Sequence, residues 1–300
     1  MAISAADVKE LREISGAGIL DCKKALEETG GDVDEALTYL QKKGEAAAEK
    51  KASRTAAEGL VDTWVNDDQS DAVVVEVNCE TDFVSQNDQF QDYMKKVVET
   101  AGVSGATSVE VLNDTQVVGL DKTVAEFTKD QITVIGENIQ LRRLQRHSTD
   151  NGLVGAYVHA GGQIGVLVEV TGEPSEELHG FARDVAMHVA AMNPGYLTAD
   201  DIPEEDEAEK REFLTEQAQE MDKPEQVIKQ IVKGRLNKWR SENVLLTQPF
   251  VKDSDTTVGE LAEAMEGVEV TGFTRYEVGE GIEVEEKSLS EEVAEELRGS

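Results

Sequence analysis

The periodicity of this 300-residue chain predicts an α+β fold. Three observations carry the prediction. Two strand-like apolar runs followed by an amphipathic helix occur twice, at 60–98 and again at 153–192. Three short helical stripes with glycine corners precede the first of these units, within 1–44. Two longer helical stripes meet at Lys223-Pro224, between the second unit and a last alternating strand. The expected architecture is an N-terminal three-helix module and two related antiparallel-sheet-plus-helix subdomains packed together, with an inserted antiparallel helical hairpin. The expected boundaries are 1–44 for the module, 45–58 for a linker and 59–150 for the first subdomain. The second subdomain is expected at 151–198 and 244–285, the hairpin at 199–243 and a helical tail at 286–300.

Taken in order, Ser4 followed by Asp7 is a helix-start signature. Val8, Leu11 and Ile14 then form a stripe that Gly16-Ala17-Gly18 ends. A second helix is predicted over 20–29, with Cys22, Ala25 and Leu26 on one face. Gly30-Gly31 turns the chain, Asp32 caps, and Val33, Ala36, Leu37 and Leu40 make a third stripe ending at Gly44. Residues 45–58, rich in Ala, Lys and Glu without a stripe, read as a linker, helical or mobile.

Residues 60–65 and 72–77 read as an antiparallel pair joined by a polar turn at 66–71. Val73-Val74-Val75 is contiguous and β-branched, the pattern of a buried strand. A helix begins near Asn87-Asp88, with Phe90, Tyr93, Met94, Val97 and Val98 on one stripe. Between them the chain has to turn at 80–84, and that turn carries Phe83. Burial tendencies favour a core position for a lone aromatic. The alternative is a rigid ring held out to enter a partner. Residues 102–121 are weakly patterned; a helix follows over 123–135 and Gly136 stops it. The strand at 139–147 carries Arg142, Arg143 and Arg146, whose simplest role is pairing with local acids across the sheet.

Residues 153–159 and 164–170 form a second hairpin around Gly161-Gly162, and a helix follows over 175–192. His188 lies on that helix's apolar face and reads as a core histidine. His159, at a strand end beside the turn, reads equally as an exposed turn residue or a partner contact. Segments 204–222 and 224–242 read as two antiparallel helices. A short helix at 257–265, a strand at 268–278 and a terminal helix at 290–297 complete the chain.

Acids outnumber bases 62 to 29, giving a formal charge of -33. That argues against nucleic acid as the direct partner and against an anionic membrane surface. Such a charge destabilises the compact state by self-repulsion, which salt relieves, so the chain is expected to work at high ionic strength. Cys22 and Cys79 are the only cysteines, and residues 1–7 lack the features of a secretory signal. Both are therefore expected to be reduced thiols in a cytoplasmic protein. No window approaches the length of a membrane span. There is no Walker motif, dinucleotide fingerprint or nucleophile elbow. Gly279 and Gly281 lack the third glycine and following helix of a phosphate loop, and His147, His159, His179 and His188 lack metal-ligand spacing. The expectation is a binding protein that is not an enzyme and uses no cofactor or metal of its own.

Asn78-Cys79-Glu80-Thr81-Asp82-Phe83-Val84, with Asn87 and Phe90 behind it, resembles the signature of the elongation factor Ts family. Further segments are similar, in order: Val8-Lys9-Glu10-Leu11-Arg12 and Asp21-Cys22-Lys23-Lys24-Ala25-Leu26; Gly136-Glu137-Asn138-Ile139; Ile164-Gly165-Val166-Leu167; Ala186-Met187-His188-Val189; Leu245-Leu246-Thr247-Gln248-Pro249-Phe250-Val251; and Arg275-Tyr276-Glu277-Val278-Gly279. The resemblance implies nucleotide exchange on the GTPase elongation factor Tu: binding its GDP form, displacing the magnesium ion and letting GTP enter. It implies that Phe83 wedges between helices of the GTPase domain, that Asp82 fixes the loop, and that Thr81 and Val84 shape the turn. It makes the N-terminal module ubiquitin-associated-like and docks it on the same domain, with Lys23 a candidate contact, although a solvated face is the simpler role for that lysine. Ile135, Gly136, His159, Phe250 and Val251 are further contacts it implies. The helical hairpin becomes a protruding coiled coil that touches the partner or a second copy of the chain. The alternative is an adaptor without exchange activity, binding through residues 1–44 alone.

Overall fold

The computed structural model describes residues 3–221 and 223–283. Ser4 and Asp7 form a reciprocal capping box that starts α1, Ala5–Ser15. Helices α2, Ile19–Glu28, and α3, Val33–Lys51, follow. Asp32 caps α3 by accepting the Glu35 N–H at 3.0 Å. Leu11, Cys22, Ala25, Leu26, Ala36 and Leu40 close a small core of their own. Ile14, expected on the stripe, is 53% exposed. The second step of three residues carries it about 60° past Leu11, beyond the buried arc.

Strands β1, Glu58–Val65, and β2, Asp71–Cys79, pair antiparallel with Leu60 opposite Val77. The chain then makes α4, Asp82–Ser85; α5, Asp88–Ser104; α6, Val109–Asp114; and α7, Val124–Ile135. It returns as β3, Ile139–Ser148, on the other edge of β2, giving the order β1-β2-β3. Val73, Val75 and Val77 face Phe90, Tyr93, Met94 and Val97 of α5. Val61, Ala72 and Val74 face Val154 and Leu167 of a second sheet. The valine run is contiguous because β2 is buried on both faces.

The third helix does not end at Gly44 as expected. It continues to Lys51 through most of the stretch read as a linker. Ala, Glu and Lys favour helix, and α3 packs on α7 along this stretch. A Cβ on Gly44 would lie 2.7 Å from Thr133 Oγ1, and Ala48 is buried in the first sheet's core. The glycine marks a close helix crossing, not a stop.

The second sheet holds β4, Gly152–His159, and β5, Ile164–Thr171, covered by α8, Glu176–Met192. Helices α9, Glu204–Gln219, and α10, Glu225–Asn243, come next. The short pair β6, Pro249–Phe250, and β7, Asp253–Thr257, then leads to α11, Val258–Glu263, and to β8, Glu269–Glu277. The sheet order is β4-β5-β8. Helices α9 and α10 run antiparallel: Glu207 meets Arg240, Gln217 meets Arg235, and Leu214, Ala218, Val232 and Leu236 pack between them. His188 is fully buried, as expected. Its Nδ1 accepts the Val251 N–H at 3.1 Å and its Nε2 lies 2.9 Å from Gln248 Oε1.

The three strand arginines pair with local acids, also as expected: Arg142 and Arg143 with Glu76, and Arg146 with Asp71. Glu76 is completely buried and also accepts the Gly279 N–H at 2.9 Å. The glycine segment that lacks a phosphate loop's pattern thus turns its amide onto the chain's own carboxylate. Burial alone would raise the Glu76 pKa, but the Gly279 amide and the two guanidinium groups outweigh it and hold it low. The fold is α+β. The terminal helix expected at 290–297 lies outside the described residues, and no helix among those is long and apolar enough to cross a membrane.

Candidate functional site

The chain leaves β2 at Cys79 and at once makes the one-turn helix α4. Thr81 is its N-cap, with extended backbone and with Oγ1 3.4 Å from the Val84 N–H. The Ser85 hydroxyl donates to the Asp82 carbonyl at 2.8 Å. Four residues of helix do not hold their shape alone. The brace comes from the turn between α7 and β3. The Glu137 carboxylate accepts the Glu80 N–H at 3.1 Å, the Thr81 N–H at 3.0 Å and the Thr81 hydroxyl at 2.7 Å. The Glu80 carboxylate reaches back to accept the Asn138 N–H at 2.6 Å and pairs with Arg54 at 3.5 Å. The Asn138 side chain donates to the Arg54 carbonyl at 2.8 Å. Each turn supplies a carboxylate to the other turn's amides.

Below the loop, the Cys79 thiol donates to the Thr81 carbonyl at 3.2 Å. Burial, then the nearby Glu137 charge, pushes this thiol up to about 12, so it stays protonated and keeps donating. Lys51 lies behind the brace, 3.4 Å from the Ile132 carbonyl at the end of α7. Its pKa is lowered by burial and then by Arg54.

These contacts fix which side chains face outward. Val84 is half-buried against the first core and Ser85 is buried. Phe83 is 82% exposed, and Asp82 is exposed beside it. The burial tendency that favours a core position for Phe83 does not hold. The inner side of the single turn is already filled by Val84 and Ser85, so the ring has only solvent to face.

Ile135 is half-buried on the same core, and Gly136, exposed at φ 90°, caps α7 and delivers Glu137 to the loop. Glu137 thereby joins Thr81–Val84 to Ile135 and Gly136. His159 is exposed, 2.9 Å from the Tyr157 hydroxyl. The turn after it lies on β1, where the Gly162 carbonyl accepts the Val61 N–H at 2.7 Å, and α4 packs on β1 as well.

The other candidates stand apart. Lys23 is on α2, exposed and 3.8 Å from Glu27, on the rim of a groove of about 440 Å³ that includes Ile3, Val8, Arg12 and Ile19. Phe250, expected as a contact, is only 8% exposed and stacks on His188 in the second core, so its ring has little surface to offer; Val251 beside it is 47% exposed. Glu137 and Asn138 lie in a segment that carries the family resemblance, yet nothing in the sequence alone gives either a role. Among the described residues no cluster of His, Cys, Asp and Glu is arranged to hold a metal ion. What the arrangement offers is an aromatic contact on a braced support.

A family model described as Elongation factor TS matches residues 80–280, a span that contains the loop, its brace and His159. Elongation factor Ts of Halothermothrix orenii is 51% identical over 298 residues, covering 99% of both chains. Elongation factor Ts of Hydrogenovibrio crunogenus is 45% identical over 294 residues, covering 98% of this chain and 97% of its own. With identity at that level running from the N-terminal module through both sheets, the chain belongs to the elongation factor Ts family, the exchange factors of translation elongation.

Proposed function

We propose that the chain binds elongation factor Tu in its GDP form and speeds GDP release by driving Phe83 between helices of the GTPase domain, which displaces the bound magnesium ion. The observation that carries this reading is the exposed ring on a braced single turn. A cation bridging phosphates is the largest local charge in such a site, so losing it weakens the hold on the nucleotide. Exchange factor and nucleotide then oppose each other on one GTPase, and linkage makes that opposition reciprocal. A thousandfold faster release needs roughly 4 kcal/mol off the barrier. Burying one Phe side chain contributes about 1.5–3 kcal/mol. The remainder falls to the rest of the interface: Asp82, Ile135, Gly136, His159 and Val251, with the groove around Lys23 docking on the GTPase domain. In this reading the chain is no enzyme, since it makes and breaks no bonds. It acts in the cytoplasm on a protein partner, with no contact to nucleic acid or membrane, and α9 and α10 reach toward the partner or a second copy.

The test is Phe83→Ala, read as release of labelled GDP from elongation factor Tu. The expected loss is roughly 10- to 100-fold, the kinetic equivalent of the ring's burial. A folded variant that releases GDP at the wild-type rate overturns the wedge. It would favour an adaptor that binds through residues 1–44 alone.

A further inference from the structure

We propose that Glu137 is a positioning residue for exchange: its carboxylate holds the backbone of Glu80 and Thr81 rigid, and so fixes where Phe83 points. The inference rests on the wedge reading above. An exposed ring has no packing of its own to orient it, and Phe83 is 82% exposed. Its direction therefore comes from its backbone alone. That backbone is one helical turn, which does not persist unaided. The Thr81 hydroxyl donates to Glu137 and so presents its lone pair to the Val84 N–H. The two amides just before the turn go to the other carboxylate oxygen. All three donors of the loop's entry thus end on one side chain, 56 or 57 residues away in sequence.

Three further features aim that side chain. Gly136, at φ 90°, turns the chain out of α7 in a conformation that other residues resist. The Asn138 N–H is taken by Glu80, so the segment carrying Glu137 is held on both sides. Arg54 pairs with Glu80 and, through its carbonyl, with the Asn138 side chain. A pre-ordered loop avoids ordering its backbone on binding, and that saving is available only while the brace is intact.

The experiment uses the full chain, with elongation factor Tu carrying a fluorescent GDP. Glu137→Ala removes all three acceptors, and Glu137→Asp keeps the charge but draws it back by one methylene. Both are expected to lower the maximal release rate roughly 10- to 100-fold while moving the half-saturating concentration less than about threefold. Glu137→Gln keeps an oxygen for the two amides and a nitrogen for the threonine oxygen, and is expected to restore the rate to within about threefold of wild type. Added to Phe83→Ala, Glu137→Ala is expected to cost less than about twofold more, because both changes remove the same positioned ring. Hydrogen exchange of the free chain is read in parallel. The Glu80 and Thr81 amides should speed up in Glu137→Ala and Glu137→Asp, while the amides of β2 keep their protection. A general loss of stability would expose the β2 amides too. Unchanged Glu80 and Thr81 amides, a Glu137→Asp rate within twofold of wild type, or fully additive losses with Phe83→Ala would each overturn the proposal. If Phe83→Ala alone leaves release unchanged, the wedge reading has failed, and hydrogen exchange still reports whether Glu137 orders the loop.

Discussion

Phe83 and His188 put two aromatic rings to opposite uses, and the hydrogen bonds around each say which. The Glu80 and Thr81 amides ahead of Phe83 are taken by Glu137 while its ring touches solvent. His188 is buried with both ring nitrogens engaged, by the Val251 N–H and the Gln248 amide oxygen, which requires the neutral tautomer protonated on Nε2. Burial lowers its pKa below the ordinary 6.5. The unfolded chain therefore takes up a proton at this site before the folded chain does. The stability this histidine contributes is complete above pH 6.5 and declines as pH falls from there through the lowered folded value. Melting temperature is expected to drop between pH 7.5 and pH 5.5, and to drop less in His188→Asn, which cannot titrate. Equal drops in the two proteins would show that the buried histidine is not responsible.

At the scale of elements, local signals in the sequence suffice where the physics is local. Ser4 with Asp7 caps α1 and Asp32 caps α3, as the residue pattern places them, and α5 and α7 begin at Asp88 and Val124, within a residue of their predicted starts. Apolar runs broken by a polar or a glycine turn mark both hairpins. The failures sit where one element meets another. Gly44 reads as a helix end because glycine ends helices, yet its small size serves the crossing of α3 and α7. Glu137 has no local signature, because its role exists only once β3 lies beside β2. A statistical tendency draws Phe83 toward the core and ignores how little room a single helical turn leaves. The crossing can be tested with Gly44→Val. The larger side chain has to push α3 away from α7, and the overpacking is expected to cost about 1–3 kcal/mol, read as a lower midpoint in urea. No change in the midpoint would return Gly44 to the role of an ordinary glycine with room to spare.

For the whole molecule, charge is the strongest influence outside the core. A formal charge of -33 is spread over a surface whose exposed ion pairs, such as Lys9 with Glu13 and Lys229 with Glu225, contribute little each. The pairs on buried Glu76 are sheltered from salt, whereas the surplus of surface acids is not. Raising potassium chloride from tens of millimolar to molar is therefore expected to raise the melting temperature, and a flat or falling response would refute the expectation. A helix that begins in the N-terminal core and ends against α7 is a rod, where a string of loose residues would let its two ends wander. In the proposed reading, the groove beside Lys23 and the ring of Phe83 then behave like the two jaws of a calliper set to one opening. One residue added within the rod would swing the first jaw by about 100° and advance it by about 1.5 Å, leaving each jaw intact and their shared measurement wrong.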